Sequence, residues 1–311
     1  MKLLLLGCSG FVGRELVPYL LQLGHAITLV SRQPQPFPAL VGERLNVLRL
    51  NPADPESWQH DGLDAALAAA DGVVNLAGEP IAEKRWTPVH RQLLLDSRVR
   101  TTELLVKAMA ALPEPPKVLV NGSAVGFYGT SETARFTEAS ASGSDFLAEI
   151  CLAWEAAADQ APAGCRVVKL RIGIVLGPDG GALGKMLPVF RTGFGGPVGS
   201  GKQWMSWIHR TDLCRLIAEA LEDPAFSGIY NAVAPTPTTM GGFALALGKA
   251  LGRPSLLPVP GPILQLLLGD GAQVVLEGQQ VVPERLTAQG FQFHYGDLSA
   301  ALGAATSPLP R

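Results

Sequence analysis

Four consecutive leucines, Leu3 to Leu6, run directly into Gly7-Cys8-Ser9-Gly10-Phe11-Val12-Gly13, and a helical pattern follows at once. No other feature constrains the fold as tightly. A short unbroken apolar run is what a parallel strand needs when both of its faces are covered. The glycine-rich turn reverses the chain into a helix, Phe11 to Leu23, with Val12, Leu16 and Leu20 at helical spacing. Further strand-like runs follow at Ala26 to Val30, Leu45 to Leu48, Gly72 to Leu76, Lys117 to Asn121 and Arg166 to Leu170. Helical stretches separate them: Leu63 to Ala70, one long helix from Pro88 to Ala111 ended by Pro113, Pro115 and Pro116, and one opening at Asp145 and passing through Trp154. Strands alternating with such helices specify βαβ units and a parallel sheet. Right-handed crossovers then give an α/β, doubly wound (Rossmann) fold.

After Leu176 the rhythm changes. Gly193 to Gly201 reads as a glycine-rich loop, Trp204 to Ile208 as a short strand, Thr211 to Leu221 as a helix, and Tyr230 to Ala232 as the end of a further strand. Thr239 to Leu251, Ile263 to Leu268 and Val274 to Glu277 read as helical or mixed, and Ala304 to Arg311 as a loose tail. The expected organisation is a nucleotide-binding core over residues 1–175, with a returning strand near 227–232, and a smaller substrate-binding cap over 176–311.

Composition removes several classes of function. Lys plus Arg number 25 and Asp plus Glu 27, a formal charge of −2. That balance gives no support for a nucleic-acid or anionic-membrane partner. Cys8, Cys151, Cys165 and Cys214 are scattered, and the five histidines form no pair at helical spacing, so no metal site is expected. The run after Lys2 is too short for a signal peptide, and Leu256 to Leu268 is broken by Pro258, Pro260 and Pro262. The expectation is a cytoplasmic protein acting on a small molecule.

The glycine loop carries the first functional reading. Gly7 and Gly10 let the backbone turn and a pyrophosphate approach, Gly13 lets the helix pack on the strand, and the amides at the helix start hold phosphate. Ser9, Phe11 and Val12 belong to the same cradle. Cofactor type is read at the end of the second strand, where an acidic residue would take the ribose hydroxyls of NAD. Ser31-Arg32 stands there instead, and a hydroxyl with a guanidinium suits a 2′-phosphate, which points to NADP(H). Ser123, at the end of the fifth strand, is placed to hydrogen-bond a substrate carbonyl or hydroxyl, because ligands sit outside the carboxyl ends of strands in such sheets.

These motifs, with Asn75-Leu76-Ala77-Gly78-Glu79-Pro80-Ile81, Ser97-Arg98, Gly122-Ser123, Arg171 to Gly177, Ser206 to His209 and Leu276 to Gln279, resemble the extended short-chain dehydrogenase/reductase superfamily. Within it they resemble the subgroup labelled "epimerase family protein", which has its own C-terminal domain. The resemblance implies that NADP(H) also touches Leu76, Ala77 and Arg98, and that the loop around Val175 closes over the nicotinamide side. It implies an oxidoreductase or epimerase acting on a carbonyl or hydroxyl compound. Some relatives carry cell-division labels, so the alternative is a non-catalytic NADP(H)-binding regulatory protein. The superfamily's Tyr-x-x-x-Lys pair is absent: Leu147 and Cys151 fall where its members carry Tyr and Lys, and Arg98 falls where they carry Asn. Tyr128 is the first choice for the missing proton partner, followed by His209, Glu79 and Cys151. The long helix around Leu93 to Leu105 could serve a homodimer.

Overall fold

The computed structural model describes residues 1–307. Its centre is one sheet of seven strands: β1 (Lys2–Leu6), β2 (Ala26–Ser31), β3 (Leu45–Arg49), β4 (Gly72–Asn75), β5 (Val118–Ala124), β6 (Arg166–Ile172) and β7 (Gly228–Ala232). Their spatial order is β3-β2-β1-β4-β5-β6-β7, and every neighbouring pair is parallel. The order reverses between β1 and β4, which opens the crevice in which ligands of such sheets sit.

The alternation in β1 explains the double winding. Leu3 and Leu5 face one side, where they meet Leu16, Val17 and Leu20 of helix α1 (Gly13–Gln22). Leu4 and Leu6 face the other, where α2 (Asp61–Ala68) brings Leu63 and Leu67. The Pro88–Ala111 segment is two helices rather than one: α3 (Pro88–Asp96) and α4 (Val99–Ala110). Arg98 departs from helical geometry at φ −109°, ψ −62°. Neither glycine nor proline causes the break. Ser97 Oγ accepts from Glu79 N at 2.9 Å, and Arg98 Nη2 donates to the Glu79 carbonyl at 3.0 Å, so the loop after β4 takes the joint's polar groups.

Helix α5 (Phe146–Ala158) begins at Asp145, whose side chain accepts from Ala148 N. It shares the α2 and α4 side of the sheet through Ala158. The cap begins with α6 (Gly181–Arg191). The chain then returns to the sheet with α7 (Arg210–Glu222), whose Leu213, Ile217 and Leu221 join the core beneath α1. The core therefore draws on residues well beyond 175. Leu183, Leu187 and Phe190 of α6 pack with Phe243 and Leu247 of α8 (Met240–Leu251) and with Ala301 and Leu302 of a C-terminal helix, Leu298–Thr306. Ala304 to Thr306 are thus helical rather than a loose tail, and residues 308–311 of that expectation lie outside the described residues.

The Trp204–Ile208 stretch divides in two. Trp204–Met205 pairs antiparallel with Thr238–Thr239, and Trp207–His209 pairs parallel with Ile174–Leu176. Strand β5 runs three residues past Asn121, placing Ser123 inside the sheet opposite Arg171.

Candidate functional site

The turn between β1 and α1 holds Gly7, Ser9, Gly10, Phe11, Val12 and Gly13 in one cradle, and its glycines serve different ends. Gly7 has φ +72°, and a Cβ there would lie 2.4 Å from Ala77 N. A Cβ on Gly13 would lie 1.7 Å from the Cys8 carbonyl. Both positions are fixed by the protein's own packing. Gly10 is not: a Cβ there would meet only Gly7 O, at 4.0 Å. The space above Gly10 is open, Val12 caps α1 without any side-chain hydrogen bond, and no group among the described residues accepts from the amides of Gly10, Phe11 or Val12. A clear approach to free amides at a helix start fits a pyrophosphate.

Phe11 ties this turn to the cap. Cβ atoms on Gly177, Gly180 or Gly181 would lie within 3.0 Å of its ring. Arg210 lies over the same ring, with 4.7 Å from guanidinium carbon to centroid, donates to the Phe11 carbonyl at 3.2 Å, and pairs with Glu15 and Asp179. Val175 stands on the short strand beside this loop, paired with Ile208. Sequence reasoning passed over Arg210, which lies nearly 200 residues from the turn it braces.

At the end of β2, Ser31 is buried and its Oγ accepts from Gln33 N at 3.0 Å. Arg32 is exposed, and its guanidinium reaches to 3.8 Å from Glu79 on the loop after β4. Leu76 and Ala77 occupy the same loop, held by Leu76 N to Leu6 O and Ala77 N to Asn75 Oδ1. Asn75 also donates to Asn121 and Thr102, which locks the carboxyl ends of β4 and β5 to α4. Arg98 is spent on the Leu94 and Glu79 carbonyls and lies 5.5 Å from the Trp154 ring. Burial lowers its pKa, partly opposed by Cys151 and Glu79.

Two cavities adjoin at the carboxyl ends of β5 and β6. The inner one, about 320 Å³, is lined by Ser123, Leu147, Cys151, Arg98, Trp154 and neighbours. The outer one, about 1020 Å³, lies beneath the cap and is lined by α6 and by α9 (Gly261–Leu268). Ile81, Ile174, Trp204, Val274 and Glu277 line both. Behind the inner cavity runs a buried polar chain. Ser123 Oγ donates to Glu155 Oε1 at 2.7 Å, and Arg171 grips Glu155 through Nε at 2.8 Å and Nη2 at 2.9 Å. Arg171 Nη1 also donates to Tyr128 Oη at 2.9 Å, and Tyr128 donates to Asn231 Oδ1 at 2.6 Å. Burial opposes the Arg171 charge, but its bonds to Glu155 and Tyr128 outweigh this and its pKa is raised.

Residues 3–232 match the NAD dependent epimerase/dehydratase family, and residues 259–305 match a domain of unknown function, DUF1731. The chain belongs to the NAD dependent epimerase/dehydratase family. It is 45% identical over 304 residues to an Arabidopsis thaliana protein named "Epimerase family protein SDR39U1 homolog, chloroplastic", covering 96% of this chain and 84% of that one. The crystal structure of human epimerase family protein SDR39U1 (isoform 2) with NADPH superposes with a TM-score of 0.88 at 39% identity, covering 99% of this chain and all of that one. A nucleoside-diphosphate sugar epimerase from Corynebacterium glutamicum superposes with a TM-score of 0.74 at 30% identity, over 98% of this chain and 57% of that one. No helix among the described residues is long and apolar enough to cross a membrane, and no group of three or more His, Cys, Asp or Glu could hold a metal ion.

Within this family frame, the structure sorts the proton-partner candidates. Leu147, Cys151 and Glu155 follow one another at four-residue spacing along one side of α5, and the first two line the inner cavity. Burial pushes the Cys151 thiol up to about 11, so Arg98 nearby does not make it a thiolate at neutral pH. Tyr128 does not line the cavity. Its ring is only 3% exposed, stacked on Phe136 and edge-on to Phe127, and its hydroxyl is satisfied on both sides by Arg171 and Asn231. Burial raises its pKa further. The choice of Tyr128 as proton partner is therefore corrected: it is a core residue. The Val125–Tyr128 3₁₀ turn carries it past the cavity to Asn231 on β7. His209 is also buried, capping α7 through Nδ1, and Glu79 lies between Arg32 and Lys84. Glu155 was missed, though its spacing from Cys151 was a signal for it.

Proposed function

We propose that this chain is an NADP(H)-dependent oxidoreductase acting on a small carbonyl or hydroxyl compound, with Ser123 as the polar group at the reacting centre. One observation carries the reading. The sole polar side chain at the carboxyl end of β5 that lines the inner cavity is a serine whose hydroxyl is held in one orientation by a buried ion pair. The cofactor reading rests on the open approach at Gly10 and on Arg32 standing where an NAD site carries a carboxylate. It is supported by the NADPH in the human relative.

Bound there, NADP(H) supplies or accepts a hydride. The chain's part is to bind and orient. The α1 amides take the pyrophosphate, Arg32 takes the 2′-phosphate, and Leu76, Ala77 and Val175 wall the path toward Ser123. Ser123 holds a substrate oxygen. Glu155 fixes the Ser123 hydroxyl, and both of its oxygens are engaged by Arg171 behind the cavity, so it positions the serine rather than acting as a base.

A second reading, a cofactor-binding regulator without turnover, is favoured by Leu147 and Cys151, neither of which moves a proton at neutral pH. Calorimetric titration tests the shared part. NADPH should bind at least about tenfold more tightly than NADH, and Arg32→Ala should erase that preference. Equal affinities in the parent protein would overturn the cofactor assignment. Nicotinamide absorbance across a carbonyl and alcohol panel separates the two readings: turnover lost in Ser123→Ala supports the enzyme, and silence across the panel supports the regulator.

A further inference from the structure

The walls of the paired cavities say what kind of molecule fits. From the cap side the outer cavity is faced by Met186 and Leu187 of α6 and by Leu264, Leu267 and Leu268 of α9, with Met205 between them. A cavity of about 1020 Å³ lies at the top of the ordinary range for small-ligand sites, roughly 300–1,000 Å³. Apolar walls of this extent gain free energy by taking hydrocarbon out of water.

The charges along these walls disfavour a phosphorylated ligand. The cations lining the outer cavity are Lys185 and Arg191, set against the carboxylates Glu83, Asp179 and Glu277. Lys185 is drawn to Glu83 at 3.9 Å and to the Ala82 carbonyl at 3.4 Å. The inner cavity's one cation, Arg98, is already bound to two backbone carbonyls. With Asp179 paired to Arg210 and Glu83 to Lys185, a pyrophosphate entering here would find Arg191 set against Glu277 and no surplus of positive charge, and desolvating it without a cationic clamp is costly.

The polar end is set by Ser123. A hydroxyl has one proton to give, and that of Ser123 goes to Glu155. Toward the cavity Ser123 therefore offers lone pairs, which accept from a hydroxyl and offer nothing to a carbonyl oxygen.

We propose that the paired cavities bind a neutral, hydrocarbon-rich alcohol, its hydroxyl donating to Ser123 and its apolar body lying beneath α6 and α9, rather than a nucleoside-diphosphate sugar. This rests on the reading of Ser123 as the reacting end of the cofactor site and names the substrate class of that site.

The test uses the full chain without added nicotinamide cofactor, so that no hydride passes between the ligands, and the neutral fluorescent probe N-phenylnaphthylamine, displaced in turn by decanol, decanal and UDP-glucose. Decanol should displace the probe at least about tenfold more effectively than decanal, and Ser123→Ala should bring the two together. UDP-glucose should not displace it. Leu267 is 62% exposed, so Leu267→Glu leaves the fold intact and should weaken probe and decanol binding about tenfold without altering NADPH affinity, while Leu267→Met should leave both unchanged. Displacement by UDP-glucose, parity of decanal with decanol, or indifference to Leu267→Glu would each overturn the proposal. NADPH titration is read separately: if NADPH fails to bind, the cofactor reading falls, and the probe experiments on the unliganded chain still decide whether the cavity takes an apolar alcohol.

Discussion

Ser123 Oγ lies 2.7 Å from Glu155 Oε1, and it donates there from the end of β5 to the last turn of α5, 32 residues away. Glu155 can accept that bond only because Arg171, at 2.8 Å and 2.9 Å, compensates its buried charge. Breaking a buried pair by removing one partner costs about 3–5 kcal/mol, whereas replacing both with neutral groups is often close to neutral. Arg171→Met should therefore destabilise the chain by about that amount, and Glu155→Gln with Arg171→Met should recover most of it. Denaturant unfolding of the two single variants and the double variant checks this. Costs that simply add would show that the two side chains do not act as a pair.

The glycine turn predicts a separation of folding from binding. In Gly13→Ala the new methyl lands 1.7 Å from the Cys8 carbonyl, so β1 or α1 must shift and stability should fall by several kcal/mol. In Gly10→Ala the methyl meets only open space, and stability should stay within about 0.5 kcal/mol of the parent. That same methyl occupies the approach to the free amides, so NADPH affinity should fall by at least about tenfold. Thermal melting and NADPH titration of both variants provide the comparison. A Gly10→Ala protein that binds NADPH normally would remove the pyrophosphate from this turn.

Much of this architecture was legible because local and global signals agree. Unbroken runs such as Leu3 to Leu6 and the glycine turn behind them leave few alternatives for the first βαβ unit. The break between α3 and α4 was not legible, since Ser97 and Arg98 carry no breaker signal and bond to Glu79 only once the chain has folded. Tyr128 misled for a related reason. Its closeness in sequence to Ser123 suggested a shared site, but a 3₁₀ turn carries it past the cavity, and Arg171, 43 residues away, claims its hydroxyl. Leu147, Cys151 and Glu155 form the opposite case: four-residue spacing puts them on one helix side in any fold, so Glu155 could have been read from Cys151.

Cys151 gives a chemical check on the cavity. It lines the wall beside Ser123 and is 4% exposed, with its thiol pushed up to about 11 from an ordinary 9.0. At neutral pH the thiolate fraction is then about a hundredfold below that of an unperturbed thiol, and alkylation should be slower by at least that factor. Iodoacetamide labelling followed by peptide mass analysis reads the rate directly. Rapid labelling of Cys151 in the folded chain would mean that Arg98, and not burial, governs its ionisation.

His209 makes stability depend on pH in a definite direction. Its Nδ1 accepts from Thr211 N at 3.2 Å, capping α7, while Nε2 is buried without a partner and the ring lies 4.0 Å from that of Tyr295. Burial lowers its pKa below the ordinary 6.5, only partly opposed by Glu15 and Asp212. Once the pH falls below 6.5, an unfolded chain takes up a proton that the folded chain refuses, so the folded state loses ground until its own lowered pKa is passed. His25, lowered by burial and by the N-terminal charge, adds to the same trend. His209→Asn keeps an oxygen that can cap α7 but removes the titrating ring. Between pH 7 and 5 its melting temperature should fall less steeply than that of the parent. Parallel melting curves for the two proteins across that range would place the acid sensitivity elsewhere in the fold.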